Sequence, residues 1–228
     1  MASNLFTSDR LTVEDKSTRL YKWMTDRPDS SSTELLQEVY DEQASYYDEL
    51  LCDKMGWYGW KEGSEFFNGQ LEKFGFSKGI RILDAGAGTG LVGKRLSELG
   101  YTNITALDIS HKMLIQCKEE GCYKEFHQCD LNIDSLDAYN KAFDAVIAIG
   151  IFSKALVLPQ GMKTLHNCVK KGGLVCISSR SKHFENFGHK AMTEEMVAKG
   201  FWKNIGRQDT DNYFTGQISG HYLTFQVQ

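Results

Sequence analysis

The 228 residues, 41% hydrophobic and 25% charged, have the composition of a globular chain long enough to bury a core without disulfide or metal staples. With 26 basic against 30 acidic residues the formal charge is −4, which supplies no global attraction for nucleic acid or an anionic membrane. The six cysteines form no CxxC pair and no Cys/His cluster at zinc spacing, which excludes a disulfide framework and leaves no metal site to expect.

Residues 1–32 are polar, charged and weakly periodic, and are expected to form a mobile arm. The start has no apolar core of a signal peptide, and no run reaches the roughly 18 apolar residues of a membrane span. A cytoplasmic protein is therefore expected. From Thr33, as cap, the pattern turns helical: Leu35, Leu36, Val39, Tyr40, Tyr47, Leu50 and Leu51 recur mostly at three- and four-residue steps. A second helix is expected over 57–73, closing at Gly75, so that 33–78 form a helical lid.

After Gly79, short apolar runs at 80–85, 104–109, 125–129, 143–149 and 174–178 alternate with amphipathic segments at 91–99, 111–120, 135–141 and 160–169. Runs this short and rich in Ile, Val and Ala read as strands buried on both faces. Their alternation with helices predicts an α/β fold, Rossmann-like and doubly wound, over 79–228. The tail breaks the rhythm: 201–207 and 222–227 have no helical pattern between them and read as an antiparallel edge pair. The expected sheet is thus mostly parallel and seven-stranded, in one domain over 33–228.

The strongest local signal is Ile82-Leu83-Asp84-Ala85-Gly86-Ala87-Gly88-Thr89-Gly90, a strand running through a glycine turn into a helix. Gly86, Gly88 and Gly90 allow positive φ and close backbone approach to a ligand. A dinucleotide fingerprint would need a small residue where Leu91 stands, and a phosphate loop would need a hydroxyl where Arg95 stands. An acid two residues ahead of the glycines opposes a pyrophosphate but suits a ligand with cationic groups, such as S-adenosylmethionine. The competing role for Asp84 is a simple helix cap. Asp108, 18 residues after Gly90 at the end of the second run, suits two ribose hydroxyls. Asp130 ends the third run, where it could accept from an adenine amino group.

Together these segments resemble the class I S-adenosylmethionine-dependent methyltransferases. Residues 143–150 are similar to that superfamily's fourth strand and 169–175 to the turn into its fifth. Tyr40-Asp41, Ala44 and Tyr47-Asp48 resemble its YDxxAxxYD lid helix. The wording is most similar to the Williams–Beuren syndrome chromosome-region methyltransferase-like proteins, over about 38–179. The resemblance implies S-adenosylmethionine as cofactor, S-adenosylhomocysteine as product and no metal. It implies Gly86, Ala87, Gly88 and Gly90 around the methionine moiety, with Asp84 near its ammonium. Asp108 would hold the ribose, Asp130 and Leu131 the adenine, and Ile109 and Met113 its faces. Ile149 and Gly150 would run beside the sulfonium, under a cover of Tyr47 and Tyr40. For both tyrosines plain core packing is the alternative.

The acceptor wall is expected from 151–153, from 180–189 and from the lid, with Ser153, Arg180, His183 and His189 as its polar candidates. The catalytic group stays unknown, with Tyr47, Ser153 and His183 the candidates. His183 leads as proton acceptor, the alternative being an ordinary loop histidine. No Asn/Asp-Pro-Pro-Tyr/Phe sequence follows strand four, which disfavours nucleic-acid amines. A small-molecule acceptor is expected, with no nucleic-acid or membrane partner, on a monomer or weak homodimer. A non-catalytic S-adenosylmethionine-binding regulatory protein and a protein side-chain methyltransferase remain as alternatives.

Overall fold

The computed structural model describes residues 32–154, 156–214 and 218–228, so the arm expected at 1–32 lies, but for Ser32, outside them. One sheet of seven strands organises the chain, in the order β3-β2-β1-β4-β5-β7-β6. β1 (Ile82–Ala85) pairs in parallel with β2 (Ile104–Asp108) and β4 (Phe143–Ala148). Every residue of β1 and β2 is buried, as an apolar run covered on both faces must be. β3 (Glu125–Gln128) closes one edge beside β2 and is only partly covered. Beyond β4 lies β5 (Val169–Arg180), also parallel.

The C-terminal pair is antiparallel as expected, but its order is not that of the chain. β7 (Ile218–Val227) sits between β5 and β6 (Trp202–Phe214), antiparallel to both. Both strands are longer than their apolar cores at 201–207 and 222–227, because polar residues of β6 continue the edge strand.

Alternate residues of each central strand feed opposite faces. Ile82, Ala145 and Ile147 pack on one cluster, and Leu83, Val146 and Ala148 on the other. The first face is covered by α2 (Gly59–Lys73), α3 (Leu91–Glu98) and α4 (His111–Glu119), through Phe67, Leu71, Leu96 and Leu114. The second is covered by α5 (Gly161–Cys168), α6 (Ser181–Asn186) and α7 (His189–Ala198), through Met162, Leu165, Phe184 and Met196. α2 is therefore a layer of the core rather than part of a lid.

The remaining lid differs from the single expected helix. α1 (Thr33–Gln43) is capped by Ser32, whose hydroxyl accepts from the Leu35 amide at 3.2 Å, and Thr33 is its first helical residue. It gives way to a 3₁₀ turn (Ala44–Tyr46) and a π-helical segment (Glu49–Lys54). The helix expected at 135–141 is only a 3₁₀ turn, Asp137–Tyr139. Conversely α6 stands where a loop was expected, and α7 fills a stretch to which no element was assigned. The buried stripe of α7 mixes His189 and Thr193 with Met192 and Met196, which blurs its apolar period. All six cysteines are free and four are buried.

Candidate functional site

An open cleft of about 1250 Å³, its mouth included, lies over the C-terminal ends of the central strands. Open α/β sheets bind ligands at this position, where strand order reverses between β1 and β4. The lid forms its roof.

The glycine loop after β1 supplies the floor. Gly86, Gly88 and Gly90 all have left-handed φ, at +75°, +55° and +104°. A Cβ on Gly86 would come within 2.2 Å of the Ile151 side chain, whereas one on Gly88 would meet only open space. The Gly86 and Ala87 amides donate to the Leu107 carbonyl at 2.7 and 2.9 Å, which folds the loop over β2. Gly90 lies outside the cleft wall and instead starts α3.

Asp108 lines the cleft where expected. Its two carboxylate oxygens accept from the Gly88 amide at 2.8 Å and the Ser110 amide at 2.9 Å. It is 8% exposed, and burial raises its pKa to about 6 despite those amides. Asp130 also lines the cleft, accepting from the Asn132 amide at 2.8 Å and from the Thr33 hydroxyl.

Asp84 departs from its expected place. It is 1% exposed, absent from the cleft wall, and accepts from the Tyr123 hydroxyl at 2.6 Å. Tyr123 in turn accepts from the Gly93 amide at 3.0 Å, which ties the acid to the body of α3. Burial lifts Asp84 to about 7, against the pull of the Tyr123 hydrogen bond. Asp84 thus braces the loop from behind and does not stand in the cleft wall.

Ile109, Met113, Leu131, Ile149 and Gly150 all line the cleft. So do Tyr40 and Tyr47, whose rings meet edge-on at 6.0 Å. Burial, with Tyr40 and Asp108 nearby, holds the Tyr47 phenol well above its ordinary value, so it stays neutral and cannot act as a base near neutral pH.

Ser153 lines the cleft, and its hydroxyl lies 2.6 Å from His183 Nδ1. The Lys154 amide points at the same nitrogen from 3.3 Å, which makes Nδ1 an acceptor and Ser153 the donor. His183 stands behind Ser153 rather than in the wall. His189 is corrected: it is buried in α7 with Nε2 on the Val157 carbonyl at 2.9 Å, away from the cleft.

Much of the cleft has no counterpart in the sequence reading. Trp57, Trp60, Tyr213 and Phe214 line its β5 side with Arg180. Trp57 stacks on Phe214 at 6.3 Å, and the Tyr213 hydroxyl lies 2.7 Å from Ser178 Oγ, which accepts from the Gly150 amide at 2.9 Å. Tyr213 and Phe214 come from β6, Trp57 from the link before α2 and Trp60 from the first turn of α2, and no local period marks them. The lid acids, placed by the motif alone, gain their contacts here: Asp41 accepts from Ser110 Oγ at 2.5 Å and Asp48 from Thr89 Oγ1 at 2.6 Å. No cluster of metal-ligating side chains occurs among the described residues.

Residues 82–173 match the family model of the methyltransferase domain. Human methyltransferase-like protein 27 is 31% identical over 138 residues, 59% of this chain and 56% of that protein. The ubiquinone biosynthesis O-methyltransferase of Methylocella silvestris is 27% identical over 135 residues, 58% of this chain and 51% of that protein. This chain thus matches little more than half the length of either relative. Among solved structures, the [4+2]-cyclase SpnF shares the fold with a TM-score of 0.66 at 15% identity, over 87% of this chain and 97% of that one. The family model runs from β1 into β5, and the strand order and the Asp108-bound glycine loop agree with it: this stretch of the chain is similar to a methyltransferase domain, on a fold shared with S-adenosylmethionine-dependent methyltransferases.

Proposed function

We propose that this protein transfers a methyl group from S-adenosylmethionine to a small-molecule acceptor, releasing S-adenosylhomocysteine. The observation that carries the reading is one wall that joins the open Gly88 cradle to two carboxylates at the ends of adjacent strands. The residues present fit the cofactor. Each oxygen of Asp108 holds one amide and keeps a lone pair for a ribose hydroxyl, and Asp130 can accept from an adenine amine. These acids would repel a pyrophosphate. Met113 and Ile109 offer apolar surface to the adenine faces, and Ile149 and Gly150 border the reacting end.

The cofactor supplies a methyl carbon already activated by its cationic sulfur. Bound there, it would offer that carbon to the acceptor's lone pair and would leave with the electron pair of the carbon–sulfur bond. The protein's part is alignment and exclusion of water. Tyr40 and Tyr47 close the roof, while the Tyr213–Ser178–Gly150 chain of hydrogen bonds fixes the strand-four end beside the reacting atoms. An acceptor that reacts as its conjugate base can pass its proton through Ser153 Oγ to His183 Nδ1. The small-molecule class draws support from the ubiquinone-pathway relative and from a roofed, aromatic-lined cleft.

Titration calorimetry with S-adenosylmethionine, S-adenosylhomocysteine and NADH tests the cofactor, and a tritiated-methyl assay against a metabolite extract tests transfer. Micromolar binding of the sulfur nucleosides and none of NADH is expected. Asp108→Ala should weaken that binding by roughly 2–4 kcal/mol, because two hydroxyls lose a charged acceptor in a shielded site. Equal affinity in the variant would make Asp108 a turn-forming residue only.

A further inference from the structure

The Ser153–His183 pair limits what the acceptor can be. Ser153 Oγ donates to His183 Nδ1, which leaves the lone pairs of a cleft-lining hydroxyl to receive a proton from a ligand. Such a path serves only a nucleophile that sheds a proton as it attacks. A carboxylate has none to shed, and a neutral amine attacks with the lone pair it already has. Among the rest, acidity decides. Imidazole titrates at about 6.5, a thiol at about 8.5 and a phenol at about 10, whereas an alkanol stands near the roughly 15.7 of water. Imidazole can therefore relieve a phenol or a thiol of its proton, and an alkanol lies about nine powers of ten out of reach.

The wall beside the pair chooses between phenol and thiol. Ser153 follows Gly150 by three residues, in a turn closed by its amide on the Ile151 carbonyl at 2.9 Å. The Trp57 indole lies on Gly150, where a Cβ would stand 3.1 Å from Cζ2, so the glycine lets an aromatic ring reach the end of strand four. The indole is held from two sides, by its own backbone amide on the Leu51 carbonyl at 2.9 Å and by the Phe214 ring at 6.3 Å and 27°. Tyr213 lines the same side as a neutral phenol, its pKa raised by burial. The wall's carboxylates, Asp48, Asp108 and Asp130, belong to the lid and to the ends of β2 and β3, where the cofactor reading places the nucleoside. A flat ring laid on a fixed indole gains stacking beyond the area it buries, and an aliphatic thiol gains the area alone.

We propose that the methyl acceptor is a phenol, its ring laid on Trp57 and its hydroxyl donating to Ser153, so that the product is an aryl methyl ether. The inference rests on the methyl-transfer reading of the cleft and narrows it to an acceptor class. The phenolic oxygen bonds the methyl carbon, the electrons of the carbon–sulfur bond stay with sulfur, and the hydroxyl proton passes through Ser153 Oγ to His183 Nδ1.

The test has a binding arm and a product arm. On protein saturated with S-adenosylhomocysteine, 2-naphthol and its saturated counterpart decahydro-2-naphthol are titrated by NMR. The aromatic probe should bind ten-fold tighter in wild-type protein, a comparison that needs no variant. Trp57→Ala should reduce the preference to less than two-fold, with Trp57→Phe keeping part of it. In the tritiated-methyl assay against a metabolite extract, the labelled product should absorb in the near ultraviolet, survive alkali and release its label as methyl iodide in hot hydrogen iodide. With that acceptor, Ser153→Ala should slow transfer about ten-fold at pH 7 and approach the wild-type rate at pH 9.5, where a phenol begins to ionise unaided. Equal affinity for the two probes, label lost as methanol in alkali, or label that hydrogen iodide does not release overturns the assignment. Calorimetry on the wild-type sample separates the two levels. S-adenosylhomocysteine binding without preference for the aromatic probe overturns the phenol assignment alone, and no nucleoside binding overturns the methyl-transfer reading together with it.

Discussion

Two aspartates at the ends of neighbouring strands have opposite fates, and the difference lies in single contacts. Asp108 keeps lone pairs toward the cleft after two amides have bound it, whereas Asp84 is covered by Tyr123. Because burial sets Asp108 near 6, it is largely ionised at pH 7.5 and largely protonated at pH 5. Nucleoside affinity through its carboxylate should therefore fall about tenfold between those values, and Asp108→Asn should flatten the profile; calorimetry at both pH values reads this directly. The glycines divide in the same way. A Cβ at Gly93 would stand 2.1 Å from Tyr123 Cζ, so Gly93→Ala should cost about 2–4 kcal/mol in urea unfolding by forcing Tyr123 off Asp84. Gly69, exposed on α2 with nothing within 4 Å of its Cβ, should instead gain roughly 0.5–1 kcal/mol as Gly69→Ala.

The lid is attached to the core by polar as well as apolar contacts. Leu36, Val39, Leu50 and Leu51 are buried on the core, and three hydroxyl–carboxylate bonds pin the segment: Thr33 to Asp130, Ser110 to Asp41, and Thr89 to Asp48. These polar clasps are invisible in a pattern of apolar spacing, because they join residues 41 to 97 positions apart. The 3₁₀ and π-helical stretches after α1 still mark where regular hydrogen bonding fails and opening is easiest. Limited proteolysis should cut 33–54 in the free protein, and S-adenosylhomocysteine should slow the cut several-fold by giving Tyr47 a surface to cover. Asp41→Ala should speed cleavage of the free protein, and Tyr47→Ala should remove most of the ligand's protection. Cleavage at equal rates with and without ligand would make α1 a fixed wall of the cleft.

For the molecule as a whole, buried acids set how stability follows pH. Asp84 and Asp108 stand near 7 and 6 in the folded chain, against about 3.9 when unfolded. The folded state then holds more protons than the unfolded state between about pH 4 and pH 7. Their contribution is fully present below pH 4 and is lost as pH rises through that window. Asp84→Asn removes one of the two, so its melting temperature should rise relative to wild type as pH goes from 4.5 to 7.5. A constant difference across that range would show that Asp84 is ionised throughout. Nucleoside binding at Asp108 works in the opposite sense, so added S-adenosylhomocysteine should raise the melting temperature more at pH 7.5 than at pH 5.

The residues alone determined the strand–helix alternation, the glycine loop, and Asp108 and Asp130 as cleft acids. Each follows from a local rule: a run buried on both faces is apolar throughout, a tight βα turn needs positive φ, and strand ends open onto the crevice. Only the tertiary structure decided that β7 enters between β5 and β6, which carries Tyr213 and Phe214 to a cleft more than a hundred residues from the glycine loop. It also turned Asp84 away through Tyr123, 39 positions along the chain, and set Arg180 against Phe214. Periodicity reports whether a side chain is covered. What covers it depends on strand order and register, which are settled by packing across the whole sheet.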